Sequence, residues 1–166
     1  MSVTRVGYSG AQIALHWIIA VLVIQQFVLH DGIVAAYAAG RGDGAATESE
    51  LFLADIHVAS GIAIFTLALL RVVLRLRRGV PPPPQDEHPA LRLAARATHF
   101  ALYAIILLMP VTGGLAWFGG VEAMADVHSA AKMAILALVL LHIAGALYQH
   151  FIVKTDVLRR MLRPER

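Results

Sequence analysis

The sequence contains four long apolar segments, at about residues 12–30, 52–75, 94–117 and 128–151. Each is close to the roughly 20 residues that a helix needs to cross the hydrocarbon core of a bilayer. Alternation of apolar and polar residues, which a barrel strand would show, is missing from these segments, and an open strand edge cannot face lipid. The sequence therefore predicts an all-α, integral membrane four-helix bundle, formed by a single domain over residues 1–166.

Composition supports this class and limits the chemistry. The chain is 58% hydrophobic and only 15% charged, which is too apolar for an ordinary soluble domain. It has no cysteine, so disulfides, thiolate metal sites and iron–sulfur clusters held by this chain are excluded. Eight histidines are many for this length, so a bound metal would need imidazole ligands. The first apolar segment lacks a small-residue cleavage site, and we expect it to be a retained span.

Charged residues are segregated between the two ends of the predicted spans. The N-terminus, the 71–96 connection and the C-terminal tail hold twelve Lys or Arg against four Asp or Glu, a net charge of +8, and we call this the basic side. The other connections hold two Lys or Arg against seven Asp or Glu, a net charge of −5, and form the acidic side. The basic-side residues are Arg5, Arg71, Arg75, Arg77, Arg78, Asp86, Glu87, Arg92, Arg96, Lys154, Asp156, Arg159, Arg160, Arg163, Glu165 and Arg166.

The bias of Lys and Arg towards the cytoplasm predicts that both termini are cytoplasmic. This segregation accounts for the sequence pI near 9.7 without a nucleic-acid partner. Membrane lipid is therefore the expected surrounding.

Two connections have distinct compositions. GVPPPPQDEHPA, at residues 79–90, cannot continue a helix and favours extended polyproline geometry. AAYAAGRGDGAATESE, at residues 35–50, is rich in Gly and Ala, and we expect a mobile loop that ends in a capping box from Thr47 to Glu50.

Pro110 predicts a kink in the third span. Trp17 and Trp117 are typical of the two interfacial belts.

Four histidines fall at two depths. In VHSAAKMAILALVLLHIAGA, residues 127–146, His128 and His142 are fourteen residues apart, so a helix places them within about 40° of one face and about 21 Å apart along its axis. His16, early in span one, shares the basic-side depth of His142. His57, early in span two, shares the acidic-side depth of His128. Two such pairs predict axial ligands for two haems stacked across the membrane.

Imidazole at both axial positions gives a low-spin iron suited to electron transfer. Small residues near these histidines, namely Ser60, Gly61 and Gly145, would leave room for a flat macrocycle.

Rival ligands exist at both depths. His30 is also fourteen residues after His16, but it borders a polar loop, and we prefer His57. His99, early in span three, could replace His16 or serve as a hydrogen-bonding group.

A second polar group of residues lies on the basic side. His150, Lys154 and Asp156, together with His99, could hydrogen-bond a quinone carbonyl and supply protons on its reduction. A solvated basic helix end explains the same residues without a ligand.

Arg71, fourteen residues after His57, projects from a similar face at basic-side depth. It could take a haem propionate in a bidentate ion pair. Anchoring by positive charge is the alternative.

These residues together resemble the prokaryotic cytochrome b(561) family of small four-helix dihaem membrane proteins, which includes the bacterial superoxide oxidase. The resemblance rests on ALHW at His16, IHVASGI at His57, ATHFALYAIILLMPVTGG in span three, VHSAAKMAILALVLLHIAGAL in span four and the tail HFIVKTDVLRRML. It implies that His16 and His142 hold a cytoplasmic-side haem b and that His57 and His128 hold an outer-side haem b. It also implies ubiquinone as the acceptor, with superoxide giving its electron at the outer side.

The charge of the acidic side departs from what this reaction favours, because a net charge of −5 does not steer the superoxide anion towards the protein. Arg41 and Lys132 could still form a local positive patch. An alternative is a haem-bearing membrane anchor that passes electrons to or from a periplasmic redox partner.

A third hypothesis is a proton or metal path in a small transporter. It expects carboxylates inside the spans. The acidic-side carboxylates Asp31, Asp55, Glu122 and Asp126 instead lie at the outer ends of the spans.

Overall fold

The computed structural model describes residues 7–85 and 87–165, and its regular structure is entirely helical. Four of the helices are long and apolar enough to cross a membrane, which confirms the predicted bundle. Arg5, Asp86 and Arg166, which entered the charge count, lie outside the described residues. The helices are α1 (Gly10–Val28), α2 (His30–Gly40), α3 (Glu48–Arg78), α4 (Pro89–Trp117), α5 (Glu122–Phe151) and α6 (Val157–Arg160).

Local signals at the helix ends explain where the spans begin and end. Ser9 caps α1 in a capping box with Gln12, and Thr47 caps α3 in the same way with Glu50, as the sequence predicted. α3 ends at Gly79, whose φ of +74° is unfavourable for any residue with a Cβ. Residues 80–85, 87 and 88 of the connection that follows are non-helical, also as predicted.

The acidic-side connection differs from the sequence prediction. Residues 30–40 form helix α2 instead of a loop, and only residues 41–47 are irregular. His30 therefore opens a helix, not a polar loop. α2 packs on α3 so closely that a Cβ on Gly32 would overlap the Cβ of Leu53, and Ala36 and Ala54 are buried. Small residues that let helix backbones approach explain this packing.

The sequence also made predictions for Pro110 and for the two tryptophans. α4 continues as a helix through Pro110. The indole N–H of Trp17 donates to the carbonyl of Met161 in the C-terminal tail, while Trp117 stacks on Tyr37 of α2, so the two tryptophans lie at opposite ends of the bundle.

The two ends of the described chain, at residues 7 and 165, lie at one end of the bundle. The backbone N–H of Glu165 donates to the carbonyl of Tyr8 at 2.9 Å, and Arg160 reaches the carbonyl of Pro82 in the 79–88 connection. At the opposite end Arg41 forms an ion pair with Glu122. The basic and acidic sides defined from the sequence are therefore two physical ends of the molecule.

The core lies between three of the four spans. Ile19 of α1 packs with Ile64 and Ala68 of α3, and α4 covers them with Ile106 and Leu107. Within the described residues, α5 packs extensively on α4 and at most sparsely on α1 and α3. α5 is also the least buried of the four spans.

Candidate haem-binding site

The basic-side pair consists of His16 on α1 and His142 on α5. Their ring centroids are 6.0 Å apart, with the rings nearly perpendicular. The sequence placed these two residues at one depth, and the structure brings them into contact across two helices that do not pack closely.

The acidic-side pair consists of His57 on α3 and His128 on α5, with ring centroids 6.3 Å apart. Nδ1 of His128 lies 2.9 Å from the carbonyl oxygen of Met109, so with its proton on Nδ1 the ring leaves Nε2 free to bind a metal. Nδ1 of His57 is buried and has no hydrogen-bond partner among the described residues. One ring is therefore oriented by the protein, and the other carries an unsatisfied nitrogen.

A glycine lies against the oriented ring. A Cβ on Gly113 would come within 3.1 Å of Nδ1 and Cε1 of His128, so the α4 backbone approaches the imidazole closely. The three small residues singled out in the sequence differ in their surroundings. Ser60 hydrogen-bonds to Gln25 and to the Ile56 carbonyl, a Cβ on Gly61 would lie 3.4 Å from Nε2 of Gln26, and Gly145 faces open space.

The donor set fits a haem better than a free metal ion. Within residues 7–85 and 87–165 there is no group of three His, Asp or Glu side chains that could hold a metal. A haem supplies four ligands from its own ring and needs only two axial imidazoles from the protein. The imidazoles of each pair come from helices on different sides of the bundle, and α5 contributes to both pairs.

The two rival histidines occupy different positions. His99 lies against His142, with ring centroids 5.2 Å apart, so His142 contacts both His16 and His99. Nε2 of His30 lies 2.8 Å from Nζ of Lys132, which joins α2 to α5 near the acidic-side pair. Burial and the positive charge of Lys132 lower the pKa of His30, so the neutral ring accepts a hydrogen bond from the lysine ammonium group.

A cleft of about 400 Å³ lies at the basic end of α5, and we call it the His150 cleft. Its lining includes His150, Lys154 and Asp156, three of the four residues in the predicted quinone group, but not His99. Nδ1 of His150 is buried without a partner in the described part of the chain. Lys154 has a φ of +61°, uncommon for a residue with a side chain, where the chain turns away from α5.

Arg71 lies on the basic side, as predicted. Its Nη1 donates to the carbonyl of Gln12 at 2.6 Å, and its Nε donates to the hydroxyl of Tyr103 at 3.0 Å. Its charge is close enough to interact with His16 and His142.

Comparison with known proteins identifies the family of the chain. The sequence model described as prokaryotic cytochrome b561 matches residues 7–164. The chain belongs to the prokaryotic cytochrome b561 family.

Relatives align over nearly their whole length. Cytochrome b562 of Cereibacter sphaeroides is 35% identical, over 95% of this chain and 96% of the relative. Cytochrome b561 homolog 2 of Escherichia coli is 29% identical, over 93% of this chain and 90% of the relative. A probable superoxide oxidase of Yersinia pestis is 28% identical, over 96% of this chain and 97% of the relative.

Family membership settles the general class. Cytochromes b561 bind haem b and transfer electrons in membranes, so this chain is a bacterial membrane cytochrome of the oxidoreductase class. The histidine-lined transporter considered from the sequence is not favoured by this membership.

Several polar residues of the cytochrome were missed by the sequence reasoning. Gln26 of α1 donates to the carbonyl of His57, and Gln149 of α5 is buried and donates to the buried Glu87. Side-chain amides inside apolar helices are the signal that could have identified them, because buried polar groups need partners. Tyr8 and Tyr103 carried no comparable signal.

Proposed function

We propose that this cytochrome b561 carries electrons across the membrane through two b haems, one held by His16 and His142 and the other by His57 and His128. The observation that supports this most directly is the pair of histidine contacts at opposite halves of one bundle, each joining helices that do not pack closely. A haem iron with two imidazole ligands supplies reversible one-electron transfer. Since the rings of each pair are in edge-to-face contact, binding between them would require the imidazoles to move apart.

The protein's own contribution is to hold the ligands. α5 carries one histidine of each pair about 21 Å apart along its axis, so a single rigid element fixes the separation of the two centres. The Met109 carbonyl fixes the His128 ring and raises its basicity as a ligand.

We assign the basic side to the cytoplasm and the membrane to the bacterial inner membrane, because the net charge of that side is +8. Ubiquinone would then be reduced at the His150 cleft. The imidazole of His150, which lines the cleft, would hydrogen-bond a quinone carbonyl, and the positive charge of Lys154 would stabilise the reduced quinone.

Superoxide is the donor that we propose for the acidic side. Two superoxide anions would each lose one electron and leave as O₂. One ubiquinone would gain these two electrons and two cytoplasmic protons, which gives ubiquinol. Of the two cations that could form a positive patch here, Arg41 is paired with Glu122, whereas Lys132 faces the neutral His30 beside the acidic-side pair. The likeness to the probable superoxide oxidase of Yersinia pestis supports this reaction.

A second candidate is a haem-bearing anchor that exchanges electrons with a periplasmic redox protein. The net charge of −5 on the acidic side, together with the neutralisation of Arg41, favours a basic protein partner over a small anion.

Haem content is the first test. The purified chain should contain two b haems, seen in a reduced-minus-oxidised spectrum and counted by pyridine haemochrome. His142→Ala and His128→Ala should each lose about one haem, whereas His99→Ala should retain both. Retention of both haems by the His142 or His128 variant would contradict the pairing, and loss of a haem in the His99 variant would give His99 the role assigned to His16.

Turnover separates the two donors. Enzymatically generated superoxide should reduce ubiquinone in the presence of the cytochrome, and His150→Ala should slow the reaction without changing haem content. Slow turnover with superoxide, together with fast reduction by a basic soluble cytochrome, would favour the second candidate. An unchanged rate in the His150 variant would dismiss the proposed quinone contact.

A further inference from the structure

Two arginines and two tyrosines surround a small cavity on the basic side. Arg71 and Arg75 are one turn apart on α3, and they meet Tyr8, which precedes α1, and Tyr103 of α4. The cavity has a volume of about 10 Å³ and is also lined by Gln12 and Val80. We call the first four residues the arginine–tyrosine cluster.

Protein hydrogen bonds use only part of the donor capacity of this cluster. Arg71 gives two of its five N–H groups, to Gln12 and Tyr103. The guanidinium carbon of Arg75 lies 5.7 Å from the centre of the Tyr103 ring, a cation–π contact that uses no N–H group.

Neither arginine of the cluster belongs to the ion pairs found within residues 7–85 and 87–165, which are Arg41–Glu122, Arg92–Glu87 and Arg160–Asp156. Both side chains are half-buried, where an unpaired positive charge is costly. An anion bound in the cluster would remove that cost.

The tyrosines add neutral donors. Burial raises the pKa of Tyr8, although the nearby Arg75 and Arg71 oppose this, so the phenol keeps its proton. The Tyr103 oxygen already accepts from Arg71, which directs its own O–H elsewhere. Guanidinium groups beside phenol hydroxyls suit a carboxylate, which accepts several hydrogen bonds at once.

The position of the cluster identifies the carboxylate. Arg71 donates to Gln12 and to Tyr103, which lie one helical turn from His16 on α1 and from His99 on α4, and the His99 ring contacts His142. Arg75 lies over the ring of the same Tyr103. We propose that the arginine–tyrosine cluster binds the propionate carboxylates of the haem held by the basic-side pair. This inference rests on the proposed function, because it takes the basic-side pair as a haem site.

A comparison of two porphyrins tests the assignment. Iron protoporphyrin IX and its dimethyl ester, in which the propionates carry no charge, would be titrated into the full-length apo protein carrying His128→Ala, so that only the basic-side pair binds. Arg75→Gln is the test variant. Arg77→Gln, an exposed arginine on the same helix, is the matched control.

We expect the chain with Arg75 to prefer the free acid over the ester by about tenfold or more, since a charge-assisted hydrogen bond has that value. Arg75→Gln should reduce the preference several-fold and leave ester binding unchanged, while Arg77→Gln should keep it. The midpoint potential of the bound haem should also fall in the Arg75 variant, because a positive charge near the iron favours the reduced state.

The outcomes are distinguishable. An unchanged preference in Arg75→Gln, with normal porphyrin binding, overturns the cluster assignment and leaves the haem site in place. Failure of either porphyrin to bind the His128→Ala chain overturns the basic-side haem as well. A preference that disappears when anionic phosphatidylglycerol replaces zwitterionic phosphatidylcholine in nanodiscs shows that an anionic lipid headgroup occupies the cluster, which also overturns the propionate assignment.

Discussion

Replacing Gly113 by alanine isolates the contact between α4 and the His128 ring. The new Cβ would lie 3.1 Å from the ring, against about 3.4 Å or more in an ordinary contact, so the imidazole must move by a few tenths of an ångström. An apo imidazole can rotate away, but one bonded to iron cannot. The strain therefore appears mainly in the haem-bound state.

The size of the effect follows from two opposing contributions. Overpacking of this kind costs about 1–3 kcal/mol. Alanine recovers about 1 kcal/mol relative to glycine inside a helix, but it does so with or without haem, so that gain cancels in the affinity. We expect haem affinity at the acidic-side pair to fall by about fivefold or more, since each 1.4 kcal/mol is tenfold.

The assay is haem retention in detergent. Haem per chain is measured by pyridine haemochrome during dilution, in a His142→Ala background that leaves only the acidic-side pair. Gly114→Ala is the matched control, because a Cβ there meets nothing within 4 Å. Equal retention by the Gly113 and Gly114 variants would refute the proposed closeness of Gly113 to a ligating ring.

Two further predictions concern stability and pH. Glu87→Ala leaves the buried amide of Gln149 without its acceptor and should cost about 1–3 kcal/mol of stability. The control, Glu122→Ala, removes an exposed ion pair and should cost at most about 1 kcal/mol. Thermal unfolding compares the two variants, and equal shifts in Tm would contradict the argument. Since the pKa of His30 is lowered in the folded state, its contribution to stability is full above the ordinary histidine pKa and is lost as pH falls below it. Lys132→Met should raise the pKa of His30, measured by NMR titration, and reduce this acid sensitivity; an unchanged pKa would show that Lys132 does not act on the ring.

The sequence predicted much of the fold correctly because its strongest signals are local. Four apolar segments indicated four spans, and the structure forms a membrane-length helix over each of them. Charge segregation placed both termini at one end, which the contact between Tyr8 and Glu165 bears out. The helical rise and the topology placed His16 with His142 and His57 with His128, and the structure brings each pair together.

The errors occurred where a weak local signal met tertiary packing. Gly and Ala from residue 35 onwards suggested a loop, yet residues 30–40 form a helix because Gly32 and Ala36 let α2 pack against α3. For His99 the sequence left two positions open, beside the basic-side pair or with His150. The rotation of α4, which the sequence does not specify, directs its ring at His142.

What the sequence by itself determined is the partition of this chain between lipid and water: which segments cross, which ends share a side, and the depths of the histidines. Those properties depend on hydropathy, charge and the fixed rise of a helix. Tertiary structure decided which side chains meet at each depth. It brought together Tyr8, Arg71, Arg75 and Tyr103, and it paired Arg41 with Glu122. Lateral packing in lipid depends on shape and on hydrogen bonds, because apolar side chains are equally soluble in lipid on every face.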